Sequence, residues 1–454
     1  MGAAVLVLAL AACTAPSGHS SDAAGTGCRP ASCFGELAGA PYEIAVPARW
    51  NGTLLLFSHG YRDPRPGEGS RKPQLAPSSE VRGRLLAEGY ALAGSAYATN
   101  GWAVEDGVRA GEDLHARFRR EVGEPRRVYV WGESMGGLVT ALLAERHPDW
   151  VSGALPACAA VAGTTANFDL ALDVAYAVRT LLAPDLKLAG FSSVEEGASA
   201  LAGARAAVER AGQDPASASR ISLAAALADA PGRTATEDGS TPATRLRADG
   251  EALLSALFFS TVARAELEQR LGGNPSGNLG VDYAARISAA ERERIEALEP
   301  GAVDRLLTQL AAGERVPSDA AARSRADRLG PGGRVADPTV LLHTAADPLV
   351  LAQNVTVFRH RAEAAGSGDL VLALHSVWPA SYASVPGGRA PYGAGHCAFG
   401  TDEHLAALRV LDDWVGSGRR PTASAVQAAL SGSPGLRGDY DPGPWPGRLP
   451  ETCC

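Results

Sequence analysis

The stretch 128–147 constrains the fold more than any other part of this chain. It reads VYVW, then Gly132-Glu133-Ser134-Met135-Gly136-Gly137, then LVTALLAERH. The β-branched and aromatic run predicts a strand, and the apolar run after it predicts a helix. Only a glycine-bounded turn lies between them. Such a turn is sharp and packs backbones closely, which is why it needs glycine. It also lifts Ser134 to a helix N-terminus, where free N–H groups and the helix dipole favour negative charge. A G-x-S-x-G pattern alone arises by chance in glycine-rich chains; the flanking strand and helix make this one specific.

Similar short apolar runs occupy 42–47, 53–58, 90–97, 151–158, 340–343 and 370–375. Bounded by turn residues, they fit buried parallel strands. Helical patterns lie at 81–88, 104–122 and 138–146, the second with Val108, Leu114 and Phe118 at helical spacing. Alternating strands and helices predict an α/β fold with a mainly parallel, doubly wound sheet. The alternation stops after Cys158. From about 167 to 337 the chain is Ala-rich and helical in pattern, broken at Pro231-Gly232 and Gly272-Gly273. The sheet pattern then resumes, so this stretch is expected as a large helical cap inserted between two strands of one sheet. The expected organisation is a leader and tether at 1–27, the first part of the core at 28–166, the cap at 167–337, the second part of the core at 338–419, and a Gly/Pro-rich wrap at 420–454. With 454 residues, 46% of them apolar, the chain can bury a large core. Its net charge of -8 and lack of a long Lys/Arg run argue against nucleic acid as a partner.

Residues 3–12 form an apolar run too short to span a bilayer, ending in Leu10-Ala11-Ala12-Cys13. This pattern predicts a signal segment. Its last four residues resemble a bacterial lipobox, in which the Cys is lipidated. A cell-surface lipoprotein is therefore expected, held to the membrane through Cys13, with 14–27 as a flexible Ser/Ala/Gly/Thr-rich tether. No Lys or Arg precedes the run, which points either to a start upstream of Met1 or to inefficient export. Six further cysteines (Cys28, Cys33, Cys158, Cys397, Cys453 and Cys454) suggest disulfides in an exported chain. The spacings typical of zinc sites are absent, so no metal is expected.

A serine nucleophile needs a base. In a strand–Ser–helix sheet the order is Ser, acid, His, with the last two after the final strands. His396 sits in Gly393-Ala394-Gly395-His396-Cys397, a loop after 370–375 that could bring its ring to Ser134. The other histidines are expected in structural places: His147 at a helix end, His343 and His375 in strands, His115 and His360 on helix surfaces, His404 on the helix after the His396 loop, and His19 in the tether. Asp347 follows the apolar run 340–343 and precedes Pro348. Its expected role is to hold the His tautomer and stabilise the imidazolium; a turn-forming Asp is the alternative. Two backbone N–H groups should bind an oxyanion. They are that of Met135, directly after the nucleophile, and that of Tyr61 in the loop Ser58-His59-Gly60-Tyr61.

HGY, GESMGG, the Asp347 turn and GHC, in this order, resemble the α/β-hydrolase superfamily over about 42–418. That resemblance implies an eight-stranded sheet and cofactor-free hydrolysis by a Ser-His-Asp triad, without specifying a substrate. The Tyr/Met oxyanion pair and the Cys directly after the His are also similar to features of secreted esterases, cutinases and polyester depolymerases. In tannase-type enzymes a Cys lies beside the nucleophile, whereas Glu133 and Met135 flank Ser134 here. Hydrolysis of a small-molecule or polymeric carboxylic ester is the expected function. A serine peptidase of the proline aminopeptidase or tripeptidyl aminopeptidase kind is the alternative. It would need an acidic cap group, such as Glu251, Glu266 or Glu268, for a substrate amine. The intact triad counts against a third reading, a non-enzymatic binding lipoprotein. A Cys158–Cys397 disulfide is expected to steady the His loop, with two buried free cysteines as the alternative. Cys28 or Cys33 would pair together or with the C-terminal cysteines. Phe258 and Phe259 are candidates for an acyl pocket or for the cap's own core, and Tyr97 and Trp102 for its entrance.

Overall fold

The computed structural model describes residues 32–65, 67, 70–229, 242–377, 395–433 and 435–449. The signal segment, Cys13, Cys28, Pro231-Gly232, Cys453 and Cys454 lie outside them. Among the described residues, no helix is long and apolar enough to cross a membrane.

One sheet runs in the order β1-β2-β4-β3-β5-β6-β7-β8-β9. Its strands are β1 (Ser32–Leu37), β2 (Ala40–Ala45), β3 (Thr53–Ser58), β4 (Ala91–Ser95), β5 (Arg127–Glu133), β6 (Gly153–Ala157), β7 (Thr339–Thr344), β8 (Val371–Ser376) and β9 (Leu436–Arg437). From β4 to β8 all neighbours are parallel; β1, β2 and β9 pair antiparallel at the two edges. All six residues of β3 and of β7 are buried. Layers on both faces explain why these runs are unbroken apolar rather than alternating. The superfamily resemblance implied eight strands; two of the nine were not legible in the sequence. β1 is a largely exposed edge strand with no apolar alternation, and β9 has only two residues.

Three helices lie within the first half of the sheet: α1 (Ser79–Ala87), α2 (Val104–Glu121) and α3 (Met135–Arg146). α3 is buried at ten of its twelve positions, so its apolar residues run all round it. His115, expected on the surface, is buried and stacks on Trp150 at 4.2 Å. The reason is its spacing: Val108, Gly111, His115 and Phe118 share one face of α2. Between β6 and β7 the chain forms α4 (Thr164–Leu181), α5 (Val194–Gly212), α6 (Ala218–Leu227), α7 (Pro242–Ser260), α8 (Val262–Leu271), α9 (Ala289–Leu298), α10 (Ala302–Ala312) and α11 (Ala320–Asp327). These helices build their own apolar cluster around Tyr176, Leu223, Leu257 and Leu306. The sheet resumes with α12 (Asn354–Ala364) between β7 and β8, and α13 (Thr401–Ser417) and α14 (Ala423–Ala429) after β8. α14 interrupts the Gly/Pro-rich end, started by the Thr422 side chain accepting the Ala425 N–H.

His343 and His375 face each other in register on β7 and β8, each 1% exposed. Burial pushes the His343 pKa down and takes that of His375 to about 3, with His343 and Arg359 charges adding to the latter shift. An unfolded chain takes up these protons near 6.5. Folded stability should therefore fall as pH drops below that value toward about 3. Thermal unfolding at about pH 7 and about pH 5 should show a clear loss of Tm, smaller in His375→Leu. An equal loss in the variant would contradict this assignment.

Candidate active site

β5 and α3 meet at Ser134, whose backbone sits at φ 60° and ψ -125°. A non-glycine residue there is strained, so its surroundings must hold it. The Ser134 N–H donates to the Ala157 carbonyl at 2.9 Å, and its own carbonyl accepts from Gly137 at 3.0 Å and Leu138 at 3.2 Å. The end of β3 passes directly beside the turn. A Cβ on Gly132 would lie 2.4 Å from the Ser58 carbonyl oxygen, and one on Gly136 only 2.0 Å. Only glycine fits at either position.

The structure brings Ser134, His396 and Asp347 together. Ser134 Oγ donates to His396 Nε2 at 2.9 Å, and His396 Nδ1 donates to Asp347 Oδ2 at 2.7 Å. Asp347 is buried, and its Oδ1 accepts the N–H groups of Leu349 and Val350, both at 2.9 Å. The His396 loop is tied to the Asp347 turn by Thr344 Oγ1 donating to the Gly395 carbonyl at 2.9 Å, and by the Gly395 N–H donating to that of Ala346 at 2.8 Å. A Cys158–Cys397 disulfide, Cα–Cα 5.3 Å, pins the same loop to the end of β6. Cys33 is also disulfide-bonded.

Burial pulls the His396 pKa down, but the charge and hydrogen bond of Asp347, with the Glu133 charge behind them, hold it above its ordinary 6.5. Burial conversely pushes Asp347 up, and His396 outweighs that to hold its carboxyl below 3.8. A general base must be neutral. The acid limb of kcat/KM should therefore lie above 6.5, with activity lost as pH falls through it. A pH–rate profile with its limb below 6.5 would contradict this geometry.

Met135 opens α3, so its N–H has no acceptor within the helix. Gly60 abuts the serine: a Cβ there would lie 3.2 Å from Ser134 Cβ. The Gly60 carbonyl and the Tyr61 N–H belong to one trans peptide and point opposite ways. His59 Nδ1 donates to the Gly60 carbonyl at 2.6 Å. The His59 ring stacks on Tyr97 at 3.8 Å, and the Tyr97 hydroxyl donates to the His59 carbonyl at 3.0 Å. His59 and Tyr97 thus orient the peptide that carries the Tyr61 N–H. Tyr97 is 1% exposed and does not border an entrance, contrary to expectation. Sequence reasoning also missed the partner of Glu133. His404 Nε2 donates to Glu133 Oε1 at 2.9 Å and its Nδ1 meets the Gly400 carbonyl at 3.1 Å, fastening α13 to the nucleophile turn.

The cap meets the site through aromatic rings. Phe258 and Phe259 of α7 stand edge-on to Tyr61 at 5.5 and 5.9 Å, and Phe259 to Trp102 at 5.7 Å. Trp102, Leu170, Val174, Phe259, Pro348 and Leu349 are among the residues lining an apolar crevice between the cap and the turn after Asp347. Ser134 is not part of that lining, and Trp102 is buried within the wall rather than set at a rim. Of the acidic residues considered for binding an amine, Glu266 has both carboxylate oxygens engaged, whereas the buried Glu268 Oε1 has no hydrogen-bond partner among the described residues. Glu266 accepts the Trp102 N–H at 2.8 Å and pairs with Arg270 at 2.6 Å. Glu268 accepts the Phe191 N–H at 2.9 Å, and Glu251 is exposed.

A mainly parallel sheet with a strained serine between its central strand and a buried helix is the architecture of the α/β-hydrolase fold. Within that class, residues 103–237 match the family described as serine aminopeptidase, S33. No curated protein matches the sequence. Among solved structures, an esterase from Aspergillus oryzae is similar at 14% identity and TM-score 0.40, covering 84% of this chain and 78% of that one. Feruloyl esterase B from the same organism is similar at 15% identity and TM-score 0.38, covering 86% and 80%. Lipase A of Candida Antarctica is similar at 11% identity and TM-score 0.38, covering 85% and 75%.

Proposed function

We propose that the protein hydrolyses carboxylic esters by acyl transfer through Ser134, His396 and Asp347. The observation that carries this reading is the continuous hydrogen-bond line from Ser134 Oγ through the imidazole to Asp347 Oδ2. Ser134 attacks the carbonyl carbon while His396 Nε2 takes its proton. The developing oxyanion is held by the N–H groups of Met135 and Tyr61. His396 then protonates the leaving alcohol, and water repeats the sequence on the acyl-enzyme. No step calls on a cofactor. The substrate is a small-molecule or polymeric ester whose acyl part lies in the apolar crevice under the cap.

The name of the matched family favours a second reading, removal of N-terminal residues from peptides. An aminopeptidase must bind an ammonium group, and Glu266, the acidic residue against Trp102, already has one oxygen on the Trp102 N–H and the other on Arg270. This supports the ester reading. Parallel assays with p-nitrophenyl acyl esters and aminoacyl nitroanilides separate the two; turnover of the anilides alone would overturn it. If the crevice holds the acyl chain, Val174→Trp should raise KM for long-chain esters roughly tenfold while leaving acetate hydrolysis unchanged. Equal effects on both esters would remove the crevice from the account. The apolar run before Cys13 supports anchoring at the cell surface through a lipid on that residue. Fatty-acid labelling that survives Cys13→Ser would refute the anchor.

A further inference from the structure

The disulfide beside the His396 loop conceals a second set of donor atoms. One ligand atom each from Cys158, His396 and Cys397 lies within 4.8 Å of the others. Cys397 Sγ is already 3.5 Å from His396 Nε2. In a tetrahedral zinc site with Zn–S of about 2.3 Å and Zn–N of about 2.0 Å, a sulfur and a nitrogen ligand lie roughly 3.5 Å apart. This edge of the tetrahedron therefore exists before any metal arrives. The set is also chemically selective, since two thiolates and an imidazole suit zinc or cobalt rather than magnesium or calcium. Motif spacing could not reveal it, because the two cysteines are 239 residues apart in sequence.

We propose that reduction of the Cys158–Cys397 disulfide opens a binding site for a thiophilic divalent cation, held by both sulfurs and His396 Nε2. With a phosphine as reductant, the disulfide and one water give two thiols and a phosphine oxide. Binding of the cation then releases the two thiol protons and forms two metal–sulfur bonds and one metal–nitrogen bond. The fourth position is open to water or to Ser134 Oγ, which is 2.9 Å from the same nitrogen. A metal on Nε2 occupies the lone pair that would take the serine proton, so the loaded protein is inactive and a chelator restores it. That consequence for activity rests on the acyl-transfer reading; the metal site does not.

The test is a cobalt(II) titration of the full chain, read by thiolate-to-cobalt charge-transfer and tetrahedral d–d absorption. The oxidised protein, the phosphine-reduced protein and a reduced Cys158→Ser/Cys397→Ser variant are compared. The variant keeps every other cysteine, so those thiols cancel in the difference. The reduced protein should bind one more cobalt than either comparison. Reduced His396→Ala, which retains both thiols, should bind it more weakly by more than the roughly 10–100-fold that loss of an outer-shell partner costs. Equal cobalt binding by the reduced protein and the double variant would overturn the site. So would wild-type affinity in His396→Ala. Neither readout depends on ester hydrolysis, so failure here and failure of the functional reading are distinguishable.

Discussion

Ser134→Ala is expected to lower ester turnover by roughly 10⁶-fold while the protein stays folded. The serine is the only atom source for the acyl-enzyme in this mechanism, and members of such a triad act as a unit rather than additively. Alanine keeps the φ 60° backbone and the Ala157 hydrogen bond, so the turn has no new reason to relax. The residual rate should come from the Met135 and Tyr61 N–H groups alone and should no longer depend on His396. Rates with a p-nitrophenyl ester, paired with a thermal unfolding curve, check both halves. A variant that retains more than about a tenth of wild-type turnover would remove Ser134 from the chemistry.

Asp347→Asn should be nearly as damaging, at about 10⁴-fold in kcat, for a different reason. Asp347 Oδ1 accepts two backbone N–H groups, from Leu349 and Val350. In the amide, the oxygen must stay on that side, because an NH₂ group would face two donors. The NH₂ group is thereby forced toward His396 Nδ1. The ring must then accept at Nδ1 and carry its proton on Nε2, where it cannot take the Ser134 proton. The turn keeps its hydrogen bonds, so stability should change little. Asp347→Ala, by contrast, leaves those two N–H groups without an acceptor and should also lower Tm. An Asp347→Asn variant with wild-type kcat would show that the backbone bonds, rather than the imidazole, are why a carboxylate sits there.

The parts legible in the sequence are those that local pattern determines. β3, β5 and β7 are continuous apolar runs because both faces of the sheet are covered. The Ser134 turn is readable because a strand, two close-packed glycines and a helix leave one conformation. Asp347 and His396 followed from chain order at strand ends. What escaped is what only long-range packing creates. β1 has no apolar signature because it is an edge, and β9 is defined by its two-residue pairing with β8. His59 and Tyr97 lie 38 residues apart, and only their stacking shows that they orient the Gly60–Tyr61 peptide. The Glu133–His404 bond spans 271 residues. His115 shows the opposite failure: its helical spacing already placed it inward, and reading it as a surface residue ignored that period.

The most direct test of Ser134 as the nucleophile is reaction with a fluorophosphonate, followed by intact mass measurement and peptide mapping. The account predicts a single adduct, on the peptide that carries Gly132-Glu133-Ser134-Met135-Gly136-Gly137, formed in step with loss of ester turnover and absent in Ser134→Ala. An active protein that takes up no adduct, or takes it up at a different serine, would contradict it.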